Sequence, residues 1–104
     1  MKVTNKTLTD SIDSLNQLRS KIQAIDKKIL DLLHERAEIA IEIGKIKKRQ
    51  HLPVYDPERE SELLDVLVRN NKSPLSAEAI TNIYRAIMSE SKKLQQESDK
   101  KSST

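Results

Sequence analysis

The chain of 104 residues has no cysteine, tryptophan or phenylalanine, a single glycine and only three prolines. Each shortage removes a class of protein. Without cysteine there is no disulfide framework and no thiolate metal site, which fits a reducing compartment. One glycine, Gly44, cannot build the glycine-rich loops that cradle phosphates and dinucleotides, which need several. So few turn-formers also argue against an all-β or doubly wound fold. Aromatics make up 2% of the chain, Tyr55 and Tyr84, too few for a base-stacking surface. His34 and His51 stand 17 residues apart and make no ligand cluster, so no metal is expected. The longest apolar run is two or three residues, so no membrane span is expected. The lysines near the N-terminus are followed by no apolar stretch of signal-peptide type, and the expected location is the cytoplasm.

What the chain does have is charge and helical periodicity. Charged residues are 34%, hydrophobic residues 36%, and the net charge is +3. A chain this small buries only about 60–65% of its unfolded surface, and oligomerisation is the usual remedy where disulfides and metals are absent. From Leu8 to about Arg49 there is no proline, and apolar residues recur at steps of three and four through Ile12, Leu15, Leu18, Ile22, Ile25 and Ile29 to Ile39, Ile43 and Ile46. This predicts one amphipathic helix of roughly 40 residues, about 60 Å long. The remaining residues are too few to cover such a stripe, so a partner is required.

Asp56-Pro57-Glu58 reads as a helix start, with Asp56 as cap, Pro57 in the first turn and acidic residues at the positive end of the dipole. This second helix runs through Leu63, Leu64, Leu67 and Val68 to about Asn70. A polar break follows, and Ser76 caps a third helix carrying Ile80, Ile83, Tyr84, Ile87, Met88 and Leu94. The expected architecture is all-α, three helices per chain with one very long N-terminal helix. Residues 1–10 are expected to be a flexible N-terminus, 11–97 the folded domain, and 98–104 a disordered polar tail that is either a free end or a linker.

The informative feature is a defect in the apolar stripe. Arg36 occupies a core-type position, and Lys47, eleven residues on, returns to within about 20° of it, with Ala40 and Ile43 on the same face. Two cations on a half-buried stripe need a compensating anion, because an unpaired buried charge costs several kcal/mol. The bland explanation is that acidic residues of the other helices satisfy them or that their stems snorkel to water. Asp56, Arg59 and Glu60 share the first turns of the second helix, as cap and solvated face or as part of a pocket. Ser91 and Gln95 lie one turn apart on the third helix, as a polar face or a pocket wall. No catalytic triad, glycosidase carboxylate pair or metal motif can be assembled. What these residues would form is a cation-rich pocket for a small anion. Lys45, Lys47, Lys48 and Arg49 could instead be a nucleic-acid patch, but acidic residues are dispersed along all three helices and +3 is small for that role. No nucleic acid is expected as a partner.

The segment from Leu18 to Gln96 closely resembles the all-helical class of chorismate mutase. The matching pieces are Leu18-Arg19-x-x-Ile22, Ile25-Asp26, Leu32-Leu33-x-x-Arg36, Gly44-Lys45-x-Lys47, Pro53-Val54-x-Asp56-x-x-Arg59-Glu60, and Ser91 with Gln95. The resemblance implies a homodimer of intertwined three-helix chains with two equivalent sites built from both. It also implies the Claisen rearrangement of chorismate to prephenate, on the route to phenylalanine and tyrosine, with no cofactor. Members are often joined to a prephenate dehydratase or dehydrogenase. Carried over by residue, the resemblance implies that Arg36 and the partner's Arg19 bind the two substrate carboxylates. Lys47 and Gln95 then hydrogen-bond the ether oxygen, and Glu60, helped by Lys47, holds the ring hydroxyl. Asp56, Arg59 and Ser91 complete the pocket, Asp56 through its backbone and Arg59 at longer range.

Helix geometry agrees with the shared site. Arg19 lies about 25 Å along the helix from Arg36 and roughly 100° around it, so the two cannot grip one small ligand from the same chain. In an antiparallel pair about a two-fold axis, placing the partner's Arg19 opposite the middle of the Arg36–Lys47 span puts the axis near Leu30. The helix predicted from Leu8 to Arg49 is centred close to the same residue. Two rival readings remain. Relatives of this fold act as isochorismate pyruvate lyases, which lack a carboxylate at the position of Glu60; the other rival is a non-catalytic helical dimerisation module.

Overall fold

The computed structural model describes the backbone of residues 2–102 and the side chains of residues 7–97. Three helices account for nearly all of it, α1 (Lys2–Arg49), α2 (Pro57–Arg69) and α3 (Ala77–Ser102), and there is no strand among the described residues. Helix α1 starts before Leu8 and α3 continues past Glu97 because neither stretch contains a proline or glycine to stop it. Apolar periodicity marks where a helix packs, not where it ends. Of the terminal segments 1–10 and 98–104, Met1, Ser103 and Thr104 lie outside the described residues, and the rest is helical.

The chain divides into two compact units, the first ending at Glu35 and the second beginning at Arg36, so α1 belongs to both. The first unit is helix alone. Its stripe of Leu8, Ile12, Leu15, Leu18, Ile22, Ile25 and Ile29 is exposed in the single chain, none of the seven by less than 45%.

The second unit packs the last part of α1 with α2 and α3, and its most buried residues lie along α1 and α3: Ala40, Gly44, Met88 and Gln95. At Gly44 the two backbones approach closely. A β-carbon added there would stand 2.9 Å from the Gln95 Cα and 3.0 Å from its carbonyl oxygen. Gly44→Ala therefore forces α1 and α3 apart. Alanine contributes about 1 kcal/mol of helix propensity, while overpacking against backbone costs up to about 3 kcal/mol, so a net loss of about 1–2 kcal/mol is expected. Urea denaturation measures it; a variant as stable as the parent would contradict the close approach.

The end of α1 is turned without glycine. His51 sits in the left-handed region at φ 56°, its amide donates to the Lys48 carbonyl at 3.1 Å, and the Leu52 amide donates to the Lys47 carbonyl at 2.8 Å. This is the hydrogen-bond pattern of a Schellman ending, with histidine where glycine is usual. At the start of α2 the Asp56 carboxylate accepts from the Arg59 amide at 3.1 Å, with Pro57 in the first turn. Between α2 and α3 the Asn71 side chain accepts from the Ser73 amide at 3.1 Å and donates to the Leu75 carbonyl at 2.7 Å. Ser76 then caps α3 by accepting from the Ala79 amide at 3.0 Å.

Candidate active site

A cavity of about 410 Å³ opens within the second unit, and all the expected site residues of this unit line it. From α1 come Arg36 and Lys47, separated by Ile39, Ala40 and Ile43. From the first turns of α2 come Arg59 and Glu60, with Asp56 just before them, and from α3 come Ser91 and Gln95. The walls between these polar groups are Leu63 and Met88. The defect in the apolar stripe is thus a set of polar side chains gathered on one cavity.

Lys47 is the best-held group of the set. Its ammonium donates to the Val54 carbonyl at 2.9 Å and to Gln95 Oε1 at 3.0 Å, while its own backbone carbonyl receives the Leu52 amide. The connection after α1 is therefore wrapped around Lys47. An ammonium has three protons, and two are committed to fixed acceptors. An ammonium offers only donors, so it draws the amide oxygen of Gln95 and leaves the Gln95 Nε2 protons to point elsewhere. Gln95 is 9% exposed. Arg36 Nη1 donates to Ser91 Oγ, which joins α1 to α3 at the other end of the same wall.

On α2, Asp56 serves as the cap, so its side chain is used on the Arg59 amide and its carbonyl on the Glu60 amide. The Arg59 guanidinium reaches Glu62 at 3.9 Å with both side chains about 70% exposed, an ion pair of little energetic weight. Glu60 is different: its Oε1 lies 3.3 Å from the ammonium of Lys92 on α3, and both side chains are largely covered. Lys92 lines the cavity and was not among the expected site residues. Beside Ser91 and one turn from Met88 it reads as a lysine on a solvated face, and only the packing of α3 on α2 reveals its partner. Arg19 lies in the first unit and is exposed.

A larger hollow of about 1050 Å³ shares Glu60, Met88 and Lys92 with the cavity. Glu60 and Asp65 line it together with Arg69, Arg85 and Lys92, a mixed set of charges. The cavity holding Arg36 and Lys47 is the one suited to a small anion. Among the described residues no group of histidine, cysteine, aspartate or glutamate could hold a metal ion, and no helix is long and apolar enough to cross a membrane.

The second unit is all-helical, and its three helices bring cations, an amide and carboxylates to one cavity. The chain belongs to the chorismate mutase type II family, whose model matches residues 18–96. It is 43% identical over 82 residues to the bifunctional chorismate mutase/prephenate dehydratase of Aquifex aeolicus and 44% identical over 87 residues to that of Escherichia coli K12. Those matches cover 75% and 83% of this chain but only 23% and 22% of the relatives, so the chain spans about a quarter of their length. Among solved structures it is similar to a chorismate mutase from Thermus thermophilus, with TM-score 0.78 and 34% identity over 79% of this chain and 93% of that one. The Helicobacter pylori chorismate mutase, solved in complex with prephenate, gives TM-score 0.77 and 38% identity over 83% of this chain and 93% of that one.

Proposed function

We propose that this chain is a chorismate mutase, rearranging chorismate to prephenate in a cytoplasmic homodimer whose two sites each use residues of both chains. The observation that carries the reading is the Lys47–Gln95 pair, two polar groups locked to each other at 3.0 Å on the wall of a cavity that also carries Arg36, Arg59 and Lys92 against the two carboxylates Asp56 and Glu60.

The reaction is a unimolecular pericyclic shift: the ether C–O bond breaks as a new C–C bond forms, with no net proton transfer. It needs no nucleophile and no obligatory acid or base. A protein accelerates it by holding the compact conformer that brings the reacting carbons together, and by stabilising charge that grows on the ether oxygen. Arg36 suits the first task, because a guanidinium grips a carboxylate bidentately and fixes its direction. The partner's Arg19 takes the second carboxylate. Lys47 suits the second task with its third proton, and Gln95 with the Nε2 protons that Lys47 leaves unused. Glu60 accepts from the ring hydroxyl, Ser91 holds Arg36, and Asp56 and Arg59 border the pocket.

Dimerisation is supported by the uncovered stripe of the first unit. Fully burying a leucine or isoleucine is worth about 1.5–3 kcal/mol, so seven half-exposed side chains are a strong force toward a second copy. A two-fold pairing of the stripes about an axis near Leu30 would bring the partner's Arg19 to the Arg36–Lys47 span.

Loss of chorismate absorbance on adding the chain, with prephenate identified as product, tests the reading. Arg36→Ala is expected to lower kcat/KM about 30-fold, the scale of a lost hydrogen bond to a charged group. Salicylate formed from isochorismate with no prephenate from chorismate would replace the mutase by a lyase. Chorismate left untouched by a folded dimer would point to the dimerisation module.

A further inference from the structure

We propose that Lys92 is a positioning residue for Glu60, holding its carboxylate in the orientation that receives the substrate's ring hydroxyl, and that the Tyr55 ring in turn holds Lys92. This rests on the chorismate mutase reading and adds a residue and an aromatic support to it. The Lys92 ammonium stands 3.3 Å from Glu60 Oε1 and 4.6 Å from the centroid of the Tyr55 ring. That places it between an anion and the negative face of an aromatic ring, both of which attract a cation.

Three observations separate this contact from an ordinary surface pair. The Lys45–Glu42 and Lys93–Glu90 pairs join neighbouring turns of one helix with side chains between 48% and 69% exposed, whereas Lys92 and Glu60 are 33% and 24% exposed and join α3 to α2. Solvent screens the first kind and much less the second. Lys92 and Glu60 also line the same cavity as Arg36, Lys47 and Gln95. Finally, the residues that hold the two lysines are adjacent: the Val54 carbonyl accepts from Lys47, and the Tyr55 ring lies under Lys92. One short connection therefore places both ammonium groups.

A glutamate has three freely rotating side-chain bonds, so an unheld Glu60 would sample many orientations and lose freedom on meeting a hydroxyl. The ammonium takes Oε1 and leaves Oε2 as the acceptor for the substrate. Its charge also offsets that of Glu60, which would otherwise repel a ligand carrying two carboxylates of its own. The other charged groups lining the cavity are Arg36 and Lys47 from α1 and Asp56 and Arg59 at the start of α2. None of these four has a hydrogen bond or ion pair to the Glu60 carboxylate, and Lys92 does.

The test is a double-mutant cycle on the full chain. Lys92→Met keeps the stem and removes the charge, and is expected to lower kcat/KM for chorismate about tenfold when Glu60 is present but less than about twofold in a Glu60→Ala background. Lys92→Arg, which restores both the ion pair and the stacking, should stay within about threefold of the parent. Tyr55 is 56% exposed, so Tyr55→Leu should fold normally; its loss of about threefold should likewise vanish without Glu60. Equal losses in both backgrounds, or no loss in either, overturn the positioning role while leaving the mutase reading intact. A parent chain that does not convert chorismate overturns both.

Discussion

Truncating Lys47 to alanine is expected to lower kcat by at least about 10²-fold, the scale on which removal of one preorganised donor acts. The size follows from what the ammonium does before any ligand arrives. It is fixed by the Val54 carbonyl and by Gln95 Oε1, so little reorganisation is needed when charge grows on the ether oxygen. A donor aimed at charge that exists only in the transition state affects kcat more than KM, because the ground state benefits little from it. The truncation also releases Gln95, whose amide no longer has a cation to hold its oxygen, so the second donor is lost to alternative orientations. The alanine variant keeps the backbone bond from the Leu52 amide to the carbonyl of residue 47, so helix content by circular dichroism should match the parent. Single-turnover kinetics on a folded variant gives the answer, and a kcat within tenfold of the parent would remove Lys47 from the chemistry.

Arg36 and Lys47 were legible in the sequence because they interrupt a regular apolar stripe, and the eleven-residue spacing alone puts them on one face. Asp56 and Ser76 were legible because a capping side chain followed by helix formers has a local cause. The three helices follow from the same kind of local signal. What was not legible depends on packing between elements or on the lack of a stop signal. Nothing in the residues around 2–7 or 98–102 breaks a helix, so apolar spacing placed the ends of α1 and α3 too far inward. His51 takes a backbone conformation that glycine usually marks, and histidine gives no such warning. Gly44 stood in a matching motif, yet its purpose is the close approach of Gln95, a residue far along the chain. Lys92 is the sharpest case. Its spacing makes it one more lysine of a solvated helix, and its value comes entirely from where Glu60 and Tyr55 meet it.

These differences share a physical origin. Periodicity reports which face of a helix prefers to be dry, and that preference is written into every turn. Ion pairs between helices depend on the rotation and offset of two elements, which no single segment encodes. In the apolar stripe of the first unit that preference is repeated turn after turn. Its seven leucine and isoleucine side chains are exposed in the single chain, and an apolar face of that length favours burial against a cover.

Mixing two inactive variants should restore activity, and this is the most demanding consequence of the proposed shared site. Arg19→Ala removes a carboxylate clamp that each chain lends to its partner, and Lys47→Ala removes a donor that each chain keeps. Each homodimer then has two defective sites, and Lys47→Ala should retain about one hundredth of parental activity or less and Arg19→Ala about one thirtieth. Unfolding and refolding the two together gives heterodimers in which one site combines an intact Lys47 with the partner's intact Arg19, while the other carries both defects. With random pairing, half the dimers are mixed and half their sites are whole, so the mixture should recover about a quarter of parental activity. Gains of this size cannot come from either variant alone, and they require that one pocket take residues from two polypeptides. The same mixture prepared without exchange of chains should stay inactive, which separates subunit sharing from an effect of the buffer or of refolding. No recovery in a mixture shown by mass spectrometry to contain heterodimers would place Arg19 outside the pocket and leave the apolar stripe as a dimer contact alone.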